Sequence, residues 1–401
     1  MKQYLPTIKY SWLQGSFWMS FCIVFSYANL YLLSCGYATS QIGIVIAVAG
    51  LISTILQPMV ASLADGDSKI TLRGLILVSS VVMLACAAII MLPCIRFLWY
   101  ALFYGVLLAV LQILTPLVNA VGMEYINQGV SVNFGLARGI GSISYAAISF
   151  VAGALIERFS ATLIPVFIIF CYILVFFAAY FFRFSISAQK KTDTGQSDNR
   201  VSVVNDGVEV ETPFFRQYRK FFILLTGVSL IFICHNILNN YMYQVMLHHN
   251  GGSTEMGIAS GIAAALELPT MIAFSYMVRK LSSGTLLKIS GIFFTLKSAL
   301  TLFAGGIGGV YLAQTMQIFG FALFVPASVY YTNSLIRPRD RAKGQALMTA
   351  TNTIGSIFGS LLGGFLVEGK GILFALLVST IIAAAGTLLM FVSTEKINDE
   401  R

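Results

Sequence analysis

Apolar stretches of about twenty residues or more recur twelve times along the chain, each closed by a short polar turn. They run near 11–33, 41–64, 71–94, 97–126, 133–157 and 161–184, then near 219–247, 254–279, 285–305, 308–336, 342–367 and 371–393. A helix crosses the hydrocarbon core of a bilayer in about 20 residues, so each stretch predicts one membrane-spanning helix, numbered here spans 1–12. The spacing divides them six and six. Between the sets lies 185–218, with Gln189-Lys190-Lys191-Thr192-Asp193, too polar to pack and expected to be a flexible linker. The expected organisation is a six-helix half over 1–184, a linker over 185–218 and a second six-helix half over 219–401. Span 5 carries Ile140-Gly141-Ser142-Ile143 and later Glu157; span 11 carries Ile354-Gly355-Ser356-Ile357 and later Glu368. This echo suggests two related halves.

Composition agrees. Hydrophobic residues make up 57% of the 401 residues and charged residues only 10%, where a soluble domain carries about 25% charged. The net charge of +9 is then no nucleic-acid signal. Lys and Arg fall almost wholly on one set of alternating loops: Lys2, Lys9, Lys69, Arg73, the linker, Arg279, Lys280, Lys288 and Arg337-Pro338-Arg339-Asp340-Arg341-Ala342-Lys343. The opposite set holds Arg96, Arg158 and Lys370. The positive-inside rule predicts cytoplasmic termini and linker in a multi-pass protein of the cell membrane. Six cysteines without CxxC spacing predict buried thiols, neither metal site nor disulfide framework. No phosphate-binding loop, HExxH or nucleophile elbow occurs. Neither an enzyme nor a cofactor is expected. Trp12, Trp18 and Trp99, near segment starts, read as interfacial anchors.

Of the 25 basic and 16 acidic side chains, only Glu124, Arg138, Glu267 and Lys297 fall well inside apolar segments. Charge in hydrocarbon costs about 2.5–3.5 kcal/mol on insertion scales, and such residues mark pathways for ions and solutes. Glu124 and Arg138 flank the turn between spans 4 and 5 at equal distances, which predicts a pair about 10 Å from the turn. Glu267 and Lys297 flank the turn between spans 8 and 9, which predicts a deeper pair about 22 Å in. Pro269 is expected to kink span 8 beside Glu267.

Uncharged hydrogen-bonders accompany them. Span 7 holds His235, Asn236, Asn239, Asn240 and Gln244, with i, i+4 spacing that gathers them on one broad face. Gln112, Asn119, Gln314, Gln317, Asn333 and Asn352 add to the set. Many neutral donors and acceptors suit a polyol or a nucleoside. Each amide also serves equally well in helix–helix hydrogen bonding.

Two stretches carry a resemblance. Gln57-Pro58 through Leu63-Ala64-Asp65 to Leu72-Arg73 resembles the loop 2–3 signature of the major facilitator superfamily, with its glycine-and-base spacing blurred by Gly66-Asp67-Ser68-Lys69. Asn133-Phe134-Gly135-Leu136-Ala137-Arg138 resembles span 5 of oligosaccharide:proton symporters of the lactose permease type. The resemblance covers most of the chain and implies an all-α membrane protein of the major facilitator fold, twelve helices in two six-helix halves, working as a monomer. It further implies that Arg138, with an acid from span 4 for which Glu124 is the candidate, binds solute. Tyr145 falls where the family has its stacking aromatic, open to either stacking or plain packing. Asp65 and Arg73 would belong to a gating loop. Glu267 and Lys297 match the family's span 8 acid and span 9 base, whereas the span 10 positions read Gln314, Gln317 and Gly320, without the family's coupling carboxylate.

The function expected is proton-coupled symport of a neutral sugar-like or nucleoside-like solute by alternating access. Asn119, Asn236 and Asn240 join Glu124, Arg138 and Tyr145 as binding candidates. Glu267, Lys297 and then His235 are the coupling candidates. Export of amphipathic compounds, and a non-transporting solute sensor on the same fold, remain open alternatives.

Overall fold

In the computed structural model the described residues are 5–63, 71–92, 97–127, 130, 132–182 and 214–395. Eleven long apolar helices cross the molecule, and a bent pair, Leu5–Ser26 with Ala28–Ser34, makes the twelfth span. Spans 2–6 are Thr39–Ser62, Leu72–Ile90, Phe97–Asn127, Phe134–Arg158 and Leu163–Phe181. Spans 7–12 are Arg219–Asn240 with Met242–His248, Ser253–Ala265 with Glu267–Lys280, Ser283–Leu302, Ile307–Thr315 with Phe321–Leu335, Arg341–Lys370 and Ile372–Ser393. Most bounds fall close to the expected ones. Span 1 begins earlier than expected. The end of the expected linker belongs to the second half, because Tyr218 is buried and its hydroxyl accepts the Arg337 N–H at 3.1 Å.

The two halves repeat one packing scheme. Span 1 lies on spans 5 and 6, span 3 on spans 4 and 6, and span 2 on span 4; correspondingly, span 7 lies on spans 11 and 12, span 9 on spans 10 and 12, and span 8 on span 10. The halves meet through span 2 against span 11 and span 5 against span 8. Close approach is bought there with glycine. A Cβ on Gly43 would collide with the Ser360 carbonyl, and one on Gly257 with the Ser149 carbonyl.

The halves are joined at one end. One hydrophobic core runs from Tyr27 and Tyr31 of the first half into Tyr241, Met246, Met256 and Ile372 of the second. This sealed end carries the loops that follow spans 1, 5, 7 and 11. Toward the opposite end the second half closes on a core of its own, around Tyr218, Phe221, Phe274, Leu287 and Tyr331.

Four spans are broken, where freed backbone groups need new partners. Span 1 passes through a π-helical turn, Cys22–Ser26, and bends by 46° past it; such turns are rare and cluster at functional sites. Span 7 breaks at Tyr241. Span 8 breaks at Leu266, three residues before Pro269 and directly before Glu267, as the proline predicts. Span 10 breaks through a 3₁₀ turn, Met316–Ile318. Its exposed carbonyls are taken up by neighbours: Thr270 Oγ1 donates to Ile318 O at 2.7 Å and Ser290 Oγ to Gly320 O at 3.1 Å.

Candidate functional site

Spans 8 and 10 are broken beside one another, and the deep charges gather there. Glu267 is the first residue of the half-helix Glu267–Lys280, so its carboxylate sits where unpaired N–H groups and the helix dipole favour negative charge. Lys297, only 1% exposed, reaches the same level from span 9. The two are not in direct contact. Lys297 Nζ donates to Gln317 Oε1 at 2.8 Å, and Gln317 Nε2 donates to Glu267 Oε1 at 3.1 Å. The 3₁₀ turn of span 10 thus inserts an amide between acid and base, with its acceptor toward the cation and its donor toward the anion.

The first half supplies a second cation. Arg138 stacks on Trp18, Cζ 3.9 Å from the ring centroid, and donates to Ser142 Oγ at 3.1 Å. Glu267 is the carboxylate whose charge acts on it. The next residue confirms the level: a Cβ on Gly139 would lie 2.8 Å from Leu268 Cδ1. Arg138 and Glu267 are thus the chain neighbours of Gly139 and Leu268, which meet where span 5 packs against span 8, so the Arg138 side of the first expected pair lies near the acid of the second. Glu124 lies in the last turn of span 4, half-buried.

Trp18 is corrected, from interfacial anchor to platform for Arg138. Its Nε1 donates to Gln14 Oε1 at 3.0 Å, and Gln14 Nε2 donates to Tyr10 Oη at 2.7 Å and Asn119 Oδ1 at 3.0 Å. Asn119 therefore does join the Arg138 cluster, through Gln14. Trp12 and Trp99 are exposed, as anchors are. Tyr145 is hydrogen-bonded to Ser26 of the π-helical turn, 2.6 Å between hydroxyls, and Glu267 is among the charges acting on it.

The span 7 polar residues divide. His235 is buried, stacked on Phe321 at 5.2 Å and edge-on to Phe294 at 5.3 Å, with Nε2 3.0 Å from Asn239 Nδ2. If that amide donates, the ring proton sits on Nδ1, which has no protein partner among the described residues. Lys297 is the charge nearest it in effect. Asn236 and Asn240 make hydrogen bonds to the helices, while Asn240 Oδ1 has no partner among the described residues. Asn236 Nδ2 donates to Phe232 O at 2.9 Å and Asn240 Nδ2 to Ser360 Oγ at 2.9 Å. Gln314, 1% exposed, leaves its Nε2 without a protein acceptor. Arg73 sits half-buried in the first turn of span 3; Asp65 lies outside the described residues.

Two six-helix halves, sealed at one end around a charged and amide-rich centre built on broken helices, define a secondary transporter of the major facilitator type. The chain belongs to the MFS_1 like family, whose model matches residues 10–378. Among solved structures it is similar to the nucleoside transporter NupG, with TM-score 0.73 and 16% identity over 98% of both chains. It is also similar to a POT family transporter in complex with 5-aminolevulinic acid, with TM-score 0.72 and 13% identity over 96% of this chain and 95% of that one. A bacterial homolog of the human lysosomal transporter Spinster, inward-facing and occupied, follows with TM-score 0.65 and 12% identity over 98% and 96%. No curated protein matches the sequence. The family and these neighbours are transporters, not enzymes.

Proposed function

We propose that this transporter carries a neutral, nucleoside-like solute together with a proton, inward across the cell membrane. The observation that supports it most is the relay Lys297–Gln317–Glu267 in the second half, set beside Arg138 of the first half where Gly139 meets Leu268. Ionised Glu267 draws Arg138 toward the second half. A proton on Glu267 cancels that attraction and leaves Arg138, flat on Trp18, to face the acceptors of an incoming solute. Proton and solute then favour each other's binding, which is the linkage that symport requires. When both leave, Arg138 and Lys297 hold the carboxylate again and the empty carrier is reset.

The donors without a partner among the described residues, Gln314 Nε2 and, in the tautomer described, His235 Nδ1, with Asn119, suit a solute rich in carbonyl and hydroxyl oxygen. The likeness to NupG favours the nucleoside over the sugar within that class. On the loop charges, the sealed end faces outward and the opposite end faces the cytoplasm.

The test is counterflow in proteoliposomes loaded with uridine or with lactose, with external pH recorded. Saturable uridine exchange, with net uridine uptake driven by an inward proton gradient, is expected. Exchange of lactose alone would replace the nucleoside by a sugar, and uridine uptake indifferent to the proton gradient would remove the proton.

A further inference from the structure

The sealed end is built twice over from the same parts. Span 2 opens with Ala38-Thr39-Ser40-Gln41-Ile42-Gly43 and span 8 with Gly252-Ser253-Thr254-Glu255-Met256-Gly257. In each, the fourth side chain reaches back to the first backbone amide: Ala38 N–H donates to Gln41 Oε1 at 3.0 Å, and Gly252 N–H to Glu255 Oε2 at 2.7 Å. In each, the second residue's hydroxyl donates to a glycine carbonyl of the other half. Thr39 Oγ1 donates to Gly364 O at 3.2 Å and Ser253 Oγ to Gly153 O at 2.9 Å. In each, the third residue's amide donates to a glutamate of the other half: Ser40 N–H to Glu368 Oε2 at 2.9 Å, and Thr254 N–H to Glu157 Oε2 at 2.7 Å. The glutamates end matching runs on spans 5 and 11, Ser149-x₃-Gly153-x₃-Glu157 and Ser360-x₃-Gly364-x₃-Glu368. The tyrosines at the breaks of spans 1 and 7 complete the match, Tyr27 Oη donating to Ser149 O at 2.8 Å and Tyr241 Oη to Ser360 O at 2.6 Å.

A helix start leaves its first amides without intrahelical partners, and a carboxylate there is favoured by both hydrogen bonding and the helix dipole. At these two starts one orphan amide is capped within the helix and another is capped only by the opposite half. We infer that Glu157 and Glu368 are twin latches. Each half lends a glutamate to cap a helix of the other, and separating the halves at this end uncaps both helices together. The caps then exchange their carboxylate for water, so each latch weights the closed arrangement by the worth of one exposed cap. For a cap of this kind that is roughly fivefold in the ratio of closed to separated molecules. Because the halves move as bodies, the two factors multiply to roughly 25-fold. A cavity of about 530 Å³ beside Glu157, walled by Leu30, Leu33, Ile156, Tyr243 and Leu247, gives the carboxylate space to swing free when the halves part.

The latches act on the rocking of the halves and do not depend on which solute is carried, so they are tested without one. Spin labels at Phe159→Cys and Leu373→Cys, on the full chain with its six cysteines replaced by serine, report the distance between halves at this end by pulsed electron paramagnetic resonance in nanodiscs. Glu157→Ala and Glu368→Ala are each expected to raise the ratio of long to short distances about fivefold, and the double variant about 25-fold. Glu157→Gln and Glu368→Gln, which keep size and an acceptor oxygen, are expected to shift it in the same direction by less. A shift from only one of the two glutamates, or a double variant no different from the singles, overturns the inference. Loss of uridine or proton transport in the unmodified protein would refute the proposed function and leave these distances unaffected.

Discussion

Gln317 is the most exacting place to perturb the site, because it makes one hydrogen bond to a cation and one to an anion. A neutral interhelical hydrogen bond in a membrane protein is worth about 0.6 kcal/mol. Bonds to charged groups run about 1.5–3 kcal/mol, and a buried charge left without a partner costs more. Lys297 is 1% exposed, so the charged figure governs. Gln317→Leu is expected to cost about 3 kcal/mol or more of stability. Lys297→Met is expected to cost as much, since it strands the amide oxygen and removes the positive charge opposite Glu267. The pair together is expected to cost about 1–3 kcal/mol less than the summed singles, because the second substitution removes a group already left unpaired. Reversible unfolding in SDS, followed by alkylation of the buried cysteines Cys22, Cys86, Cys171 and Cys234, measures all four corners of the cycle. Additivity within about 0.5 kcal/mol would refute the bridging role of Gln317.

Other outcomes follow from the same geometry. Trp18→Leu removes the ring 3.9 Å from Arg138 and is expected to raise the KM for solute exchange by roughly 2- to 30-fold, the span of an exposed to a desolvated cation–π contact of about 0.5–2 kcal/mol; an unchanged KM would show that Arg138 needs no platform. Gly257→Val, whose Cβ would meet the Ser149 carbonyl, is expected to force the sealed end apart, read as faster alkylation of a cysteine at Asn29; a slower rate would contradict the crossing described. Thr270→Ala, which strands the Ile318 carbonyl, is expected to destabilise the protein by about 1–3 kcal/mol in the same SDS assay. At the loop before span 11, the hydrogen bond from Lys343 at 2.8 Å holds the Asp340 carboxyl below its ordinary range. A depressed carboxyl pKa stabilises at neutral pH and loses that contribution as pH falls through the depressed value. The stability difference between wild type and Lys343→Met is therefore expected above about pH 4 and to vanish in stronger acid; a difference that grows with acidity would reverse the sign.

Much of the architecture was legible in the chain because a bilayer imposes length and polarity rules that a sequence cannot evade. Every span is recognisable from its apolar run, and Pro269 announces the break before Glu267. The four charges within apolar runs were likewise conspicuous, but their neighbours were not. Arg138 and Glu267 lie on different halves, and no spacing rule along one chain reports how closely docking brings spans 5 and 8 together. The roles of Trp18 and Gln317 were hidden for a related reason: a tryptophan near a segment start and an amide in a span have ordinary uses, and only their neighbours distinguish them. Asn236 and Asn240 show the converse, since i, i+4 periodicity gathers amides on a face without saying whether the face meets solute or another helix. The matched openings of spans 2 and 8 are also visible in the sequence, and extend the echo of spans 5 and 11 that ends at Glu157 and Glu368.

Proton coupling, as proposed, depends on the carboxylate of Glu267. Glu267→Gln keeps an acceptor for Gln317 and mimics the protonated acid. In proteoliposomes it is expected to retain uridine counterflow at a rate comparable to wild type while losing uphill uridine uptake driven by an inward proton gradient. Uphill uptake that survives the substitution would contradict the central claim.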